Sequence, residues 1–238
     1  MKIEEQMSQL KLTGMLQSYH SLVQTHQLQN LSLGEGLELL LMAETEERTN
    51  KRSQRLTQRA RFRYQASLSE LNYLQSRNLS KTLIASLADC TYITKGQSII
   101  ITGATGCGKS YLASALGYQA CQMGYKVMYI SLLKLFNQLK TCRLDGTLIK
   151  TLEHISRQNL LIVDDFGISG LDQQQCIDLM EIIEDRHGRY ATIIATQLPI
   201  LSWYDIIPDS TIAEAILDRL IHGAIKIELQ GDSLRKKQ

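Results

Sequence analysis

Residues 103 to 110 read GATGCGKS, and residues 159 to 167 read NLLIVDDFG. The first segment spaces glycines so that backbone N–H groups can cradle phosphates, with a lysine and a hydroxyl directly after. Gly103, Ala104, Thr105, Gly106, Cys107 and Gly108 would wrap the phosphate chain, with Tyr111 just beyond. Lys109 would place its ammonium on the β- and γ-phosphates, and Ser110 would give its hydroxyl to Mg²⁺. The second segment ends an apolar run in two carboxylates. Asp164 would hold Mg²⁺ opposite Ser110, and Asp165 would orient and activate the attacking water. Together these residues describe a site for a nucleoside triphosphate and Mg²⁺, with Lys109, Asp164 and Asp165 as its reactive centre.

Such residues need a strand, a turn and a helix to position them. SIIIT (98–102) reads as a buried strand, and KSYLASALGYQACQ as the helix after the loop. This order aims backbone N–H groups and a helix N-terminus at an anion. Further short apolar runs follow: KVMYIS (126–131), NLLIV (159–163), ATIIAT (191–196) and AIKIEL (224–229). They are β-branched, nearly continuous and separated by helical patterns, which predicts a parallel sheet with flanking helices. KVMYIS lies along the chain between the phosphate-loop strand and the Asp-bearing strand, and is read as the additional strand of an ATPase-type sheet. No NKxD element is present to read guanine, so ATP is the expected nucleotide. Residues 3 to 75 instead carry apolar residues at helical spacing, with breaks near Gly14 and NLSLGEG. The predicted organisation is a small all-helical domain over 1–78 and an α/β phosphate-loop ATPase domain over 79–238.

A chain of 238 residues with net charge +2 is ordinary in composition. Its charge is not evenly distributed: RTNKRSQRLTQRARFR (48–63) holds seven basic residues and no acidic one. On a helix, Arg48, Arg52, Arg55 and Arg59 share one face, and Lys51, Arg61 and Arg63 extend the run. Such a face fits a phosphate backbone without reading sequence, so double-stranded DNA is the expected partner. Either that or a solvated helix flank is open on the residues alone. The N-terminus is charged and interrupted, unlike a secretion signal, and no apolar run is long enough to span a bilayer. Five scattered cysteines show no metal spacing and read as reduced thiols, which makes a cytoplasmic location the expectation.

LKLTGMLQSY, the phosphate-loop region, LLIVDDFG, ATQLP, AILDRLIHGAIKIEL and the terminal GDSLRKK together resemble the IstB-like ATPases. These are AAA+ transposition helpers of bacterial insertion sequences, related to DnaC-like helicase loaders. The resemblance implies an AAA+ core, here without a full lid, that forms a homo-oligomer through its ATP sites and recruits or stimulates the element's transposase. ATP hydrolysis would control release from DNA. It further implies that Gln197, or less strongly Thr196, senses the γ-phosphate and that Arg219 is an arginine finger entering a neighbouring subunit. A salt bridge from Arg219 to Asp218 or Glu214 is the alternative reading. Arg235 would be a second sensor, and Arg186 and Arg189 candidates for a subunit interface. A helicase loader, whose N-terminal domain grips a helicase ring, is the alternative function. A nucleotide-switched DNA scaffold with negligible turnover also stays open.

Overall fold

The computed structural model describes residues 2–73 and 77–233. The chain divides into two compact units, Met1–Arg55 and Leu56–Gln238, a division that falls ahead of the boundary expected at 78/79.

The first unit contains α1 (Ile3–Gln9), α2 (Thr13–Gln24) and most of α3 (Leu33–Ala60). Ser32 and Glu35 start α3 as a reciprocal cap: the Glu35 carboxylate accepts from the Ser32 N–H at 2.8 Å, and Ser32 Oγ accepts from the Glu35 N–H at 3.3 Å. Acidic residues from Glu35 to Glu47 and basic ones from Arg48 to Arg59 occupy the two ends of this one helix. That charge order suits the helix macrodipole. Glu44 reaches back to cap α2, accepting from the N–H groups of Gly14 at 2.8 Å and Met15 at 3.2 Å. The break expected near Gly14 is the turn at residues 10–12 between α1 and α2. Gly14 itself lies in the first turn of α2, where a Cβ would sit 2.4 Å from the Ala43 carbonyl oxygen, so only glycine admits this helix contact.

The second unit is built on a parallel sheet of β1 (Ile99–Gly103), β2 (Val127–Ser131), β3 (Leu160–Phe166), β4 (Ala191–Thr196) and β5 (Ile225–Leu229). Its order is β2-β3-β4-β1-β5. The strand inserted between β1 and β3 is thus β4, whereas KVMYIS (β2) lies at the sheet edge beside β3. Adjacency along the chain does not fix adjacency in a parallel sheet, because each crossover helix can carry the chain past its neighbour. The helices are α4 (Lys81–Ala88), α5 (Thr91–Thr94), α6 (Lys109–Gln122), α7 (Leu132–Leu144), α8 (Leu148–Ser156), α9 (Gln173–Arg186), α10 (Trp203–Ile206) and α11 (Ser210–Ile221). Strand residues alternate between two cores. Ile99, Ile101, Ile162 and Ile193 meet Leu112 and Leu116 of α6. Ile100, Leu161, Val163 and Ile194 meet Leu135, Ile155, Leu179 and Leu217 on the opposite face. Burial on both faces is why the strands read as unbroken apolar runs.

Leu56, Ala60, Phe62, Leu68, Leu71 and Tyr73 belong to the core on the α6 face. Their apolar side chains tie residues 56–73 to the sheet unit, which helical periodicity alone does not reveal.

Arg186, a candidate for an interface, is instead 1 % exposed. Its guanidinium donates to the carbonyls of Ile155 and Gln158 at 2.9 Å each, to Thr192 Oγ1 at 3.1 Å, and to the Ala191 carbonyl. It ties the end of α8 to the starts of β3 and β4, and burial pushes its ionisation below the usual arginine range. Arg186→Met should lower unfolding free energy by about 3–5 kcal/mol, since it leaves several buried carbonyls without a donor. Urea denaturation would show it; an unchanged midpoint would mean those carbonyls find other partners.

Candidate nucleotide site

The phosphate loop leaves β1 at Gly103 and enters α6 at Lys109, with Gly108 (φ 97°) as its N-cap. Two positions admit only glycine. At Gly103 a Cβ would lie 2.3 Å from the Leu229 carbonyl oxygen, and at Gly106 (φ 84°) it would lie 2.2 Å from Ser233 Oγ. Gly108 caps without a side-chain bond, and the first-turn N–H groups have no partner within the helix, which leaves an anion-binding concavity. The Lys109 ammonium is held inside it, donating to the carbonyls of Gly103 at 2.8 Å and Ala104 at 2.7 Å. Thr105 Oγ1 donates to Gln197 Oε1 at 2.6 Å, which brings the proposed sensor onto the loop. Thr196 is not available for that role: it is fully buried, donates to the Phe166 carbonyl at 2.8 Å and accepts from the Leu198 N–H at 3.0 Å. Tyr111 donates to Glu70 at 2.8 Å, and its ring lies 6.2 Å from that of Tyr64. The segment after α3 thus engages its side chain.

The acidic pair is shaped by a bulge. Pairing of β3 with β4 shifts between Val163 and Phe166, and Asp165 takes φ 58°. A bulge of this kind re-aims side chains at a strand end. Asp164 is 1 % exposed; its carboxylate accepts from the Tyr129 hydroxyl and from the Asp165 N–H at 2.9 Å. Tyr129 also lies close enough to Ser110 to be influenced by its hydroxyl, so one phenol sits near both residues expected to hold the metal. Burial, and then the bond to Asp164, push that phenol well above its ordinary range.

Arg63, expected in the DNA-facing run, also reaches this site. Its Nη1 lies 3.1 Å from Asp165 Oδ2 and 3.5 Å from Asp164 Oδ2. Phe62 explains the placement. Its ring meets Tyr129 edge-on at 6.2 Å and packs so closely on α6 that a Cβ at Gly117 would be 2.5 Å away. With Phe62 wedged between α6 and β2, the next side chain reaches the carboxylates.

The remaining candidates separate. Arg48 and Lys51 are paired one turn back, with Glu44 at 2.7 Å and Glu47 at 2.9 Å, and Lys51 also donates to Thr13 at 2.7 Å. The basic run lacks acids of its own, but the preceding turn of the same helix supplies them. Arg52, Arg55, Arg59 and Arg61 are exposed. Arg219 pairs neither with Asp218 nor with Glu214. Its Nε lies 2.5 Å from Glu184 on α9, and its Nη1 donates to the Ala215 carbonyl at 2.9 Å. Arg235 lies outside the described residues.

Three residues near the loop are absent from the sequence-based set. Tyr129 had a signal: a hydroxyl in an otherwise aliphatic buried strand must find a partner. Arg77, whose Nη2 donates to the Cys107 carbonyl at 2.5 Å, and Ser233 over Gly106 had none, because both contacts are long-range.

Among the described residues no helix is long and apolar enough to cross a membrane. The chain is 38% identical over 234 residues to y4pL of Sinorhizobium fredii, a protein named for an insertion sequence and for ATP binding; the alignment covers 98% of this chain and 96% of that one. The fold is similar to that of DnaI, with TM-score 0.59 and 20% identity, covering 71% of this chain and 90% of that chain. It is also similar to the DnaC helicase loader, with TM-score 0.55 and 19% identity over 63% of this chain and 89% of that chain. Residues 5–238 match the family described as IstB-like ATP binding protein, and the chain belongs to that family.

Proposed function

We propose that this protein is an ATP-hydrolysing, DNA-binding helper of transposition. It would assemble on target DNA as a homo-oligomer, recruit or stimulate the transposase of its insertion sequence, and leave when ATP is hydrolysed. The observation that carries this reading is the junction of phosphate loop and acidic pair, where Tyr129 holds the buried Asp164 while Lys109 sits within the loop. One buried carboxylate beside a hydroxyl suits Mg²⁺, which keeps waters and draws its other ligands from nucleotide phosphates. Among the described residues no group of three or more His, Cys, Asp or Glu forms a dedicated cage, in keeping with such a site. Ser110 and Asp164 would hold the ion, whose contribution is to neutralise charge on the phosphates. Lys109 would leave the loop carbonyls for the β- and γ-phosphates, and Asp165 would take the proton of the attacking water. Gln197, already on the loop, would register the γ-phosphate.

Insertion-sequence relatives favour transposition over helicase loading, since the likeness to loaders shows the fold alone. DNA contact rests on the exposed part of α3, with Arg55 and Arg59 free of the ion pairs that hold Arg48 and Lys51. Alanine at Arg55 and Arg59 should weaken binding to random duplexes alike and lower the slope of log K against log salt by about 0.9 per lost contact. Titration with ATP at several salt concentrations measures it. An unchanged slope would return α3 to an ordinary solvated helix.

A further inference from the structure

Arg63 and the acidic pair that it meets line one cavity of about 1440 Å³ along the β2 edge of the sheet unit. That cavity exceeds the roughly 300–1,000 Å³ of small-ligand pockets. Arg59, Arg61, Lys126, Lys134 and Lys150 line it, and none of their charged groups has an ion-pair partner among the described residues. Its floor is a strand edge. Lys126 turns its carbonyl to Leu160 of β3 at 3.1 Å, so by strand alternation Val127, Tyr129 and Ser131 present their main chain outward. Five unpaired cations around a long, open groove with outward N–H groups suit a polyanion, and a phosphodiester backbone is the one that the proposed function supplies.

We propose that Arg63 restrains the acidic pair, and that a nucleic-acid phosphate backbone entering this groove draws it off. The inference rests on the DNA-dependent ATPase reading and names its control element. While Arg63 bridges Asp164 and Asp165, a guanidinium occupies the charge that Mg²⁺ and the attacking water should meet. Its side chain is 42% exposed and therefore reachable from the groove. Asp165 is 35% exposed as well, and an ion pair open to solvent on both sides is weak, so a phosphate that accepts the planar guanidinium can compete for it. Arg63 is accordingly a positioning residue, coupling an occupied groove to carboxylates that it does not itself replace.

The test uses the full chain, with circular dichroism as a folding check and two independent readouts. Without DNA, Arg63→Ala should bind ATP about five-fold more tightly than the parent in Mg²⁺ and no more tightly in EDTA. Its DNA-free hydrolysis should approach the DNA-saturated rate of the parent, with little further stimulation, and Arg63→Lys should restore part of the restraint. Lys126→Ala/Lys134→Ala/Lys150→Ala should need more DNA for half-maximal stimulation and show a lower salt slope. The proposal falls if folded Arg63→Ala keeps parental Mg²⁺ dependence and stimulation, or loses hydrolysis with and without DNA, which would make Arg63 a participant in the reaction. It falls equally if the triple variant titrates like the parent, or if polyglutamate stimulates as well as DNA, which would mark an acidic protein as the occupant. Should no form hydrolyse ATP, the proposed function fails, and the Mg²⁺-dependent affinity of Arg63→Ala still decides the restraint.

Discussion

Arg219→Ala should bind ATP nearly as the parent does yet hydrolyse it roughly 10³ to 10⁵ times more slowly, the range that arginine fingers contribute in related phosphoryl chemistry. The reason lies in where the side chain rests. Its polar partners within the chain are Glu184 and the Ala215 carbonyl, and neither belongs to the phosphate loop or the acidic pair. Ground-state binding would rest on Lys109, Ser110 and the loop, so removing Arg219 leaves the pocket of its own subunit whole. What would be lost is positive charge on the γ-phosphoryl group as it transfers, delivered by a neighbour. Holding the guanidinium against α9 costs little to undo, because Glu184 is more than half exposed and the pair is screened. Parallel measurement of nucleotide affinity and steady-state hydrolysis separates the two effects. A matching loss in both would place Arg219 in its own pocket.

Lys109→Ala should weaken ATP binding by about 10² to 10⁴-fold, the loss of two charge-assisted hydrogen bonds. Lys109 is 8% exposed and its ammonium is held by two loop carbonyls, from which it would pass to the phosphates. Alanine would remove the only lysine of the loop and leave those carbonyls directed at an anion. Because the bonds of its ammonium go to loop carbonyls, the far-ultraviolet circular dichroism should match the parent. Parental ATP affinity in a folded variant would remove Lys109 from the site.

The parts that were legible in the sequence are those set by local pattern. Ile99 to Ile101 and Leu160 to Val163 announce strands buried on both faces, and glycines at 103, 106 and 108 announce a turn only they can make. Asp164 could be located because it directly follows the apolar run of such a strand. Strand order could not: β4 between β1 and β3 depends on how crossovers pass one another. Arg63 escaped for a related reason. It closes a run of basic residues, and only Phe62, wedged on Gly117 and Tyr129, turns it from the run toward the carboxylates. The partners of Arg48 and Lys51, Glu44 and Glu47, lie one helical turn upstream, outside the basic run itself.

Mixing Lys109→Ala with Arg219→Ala in the presence of DNA tests most directly the claim that ATP sites are completed between subunits on DNA. The first variant lacks a working pocket but keeps its arginine; the second keeps the pocket and lacks the arginine. Hydrolysis by the mixture should rise well above the sum of its parts, because shared interfaces pair a sound pocket with a sound finger. A mixture that stays as inactive as its components while the two variants demonstrably co-assemble would contradict it.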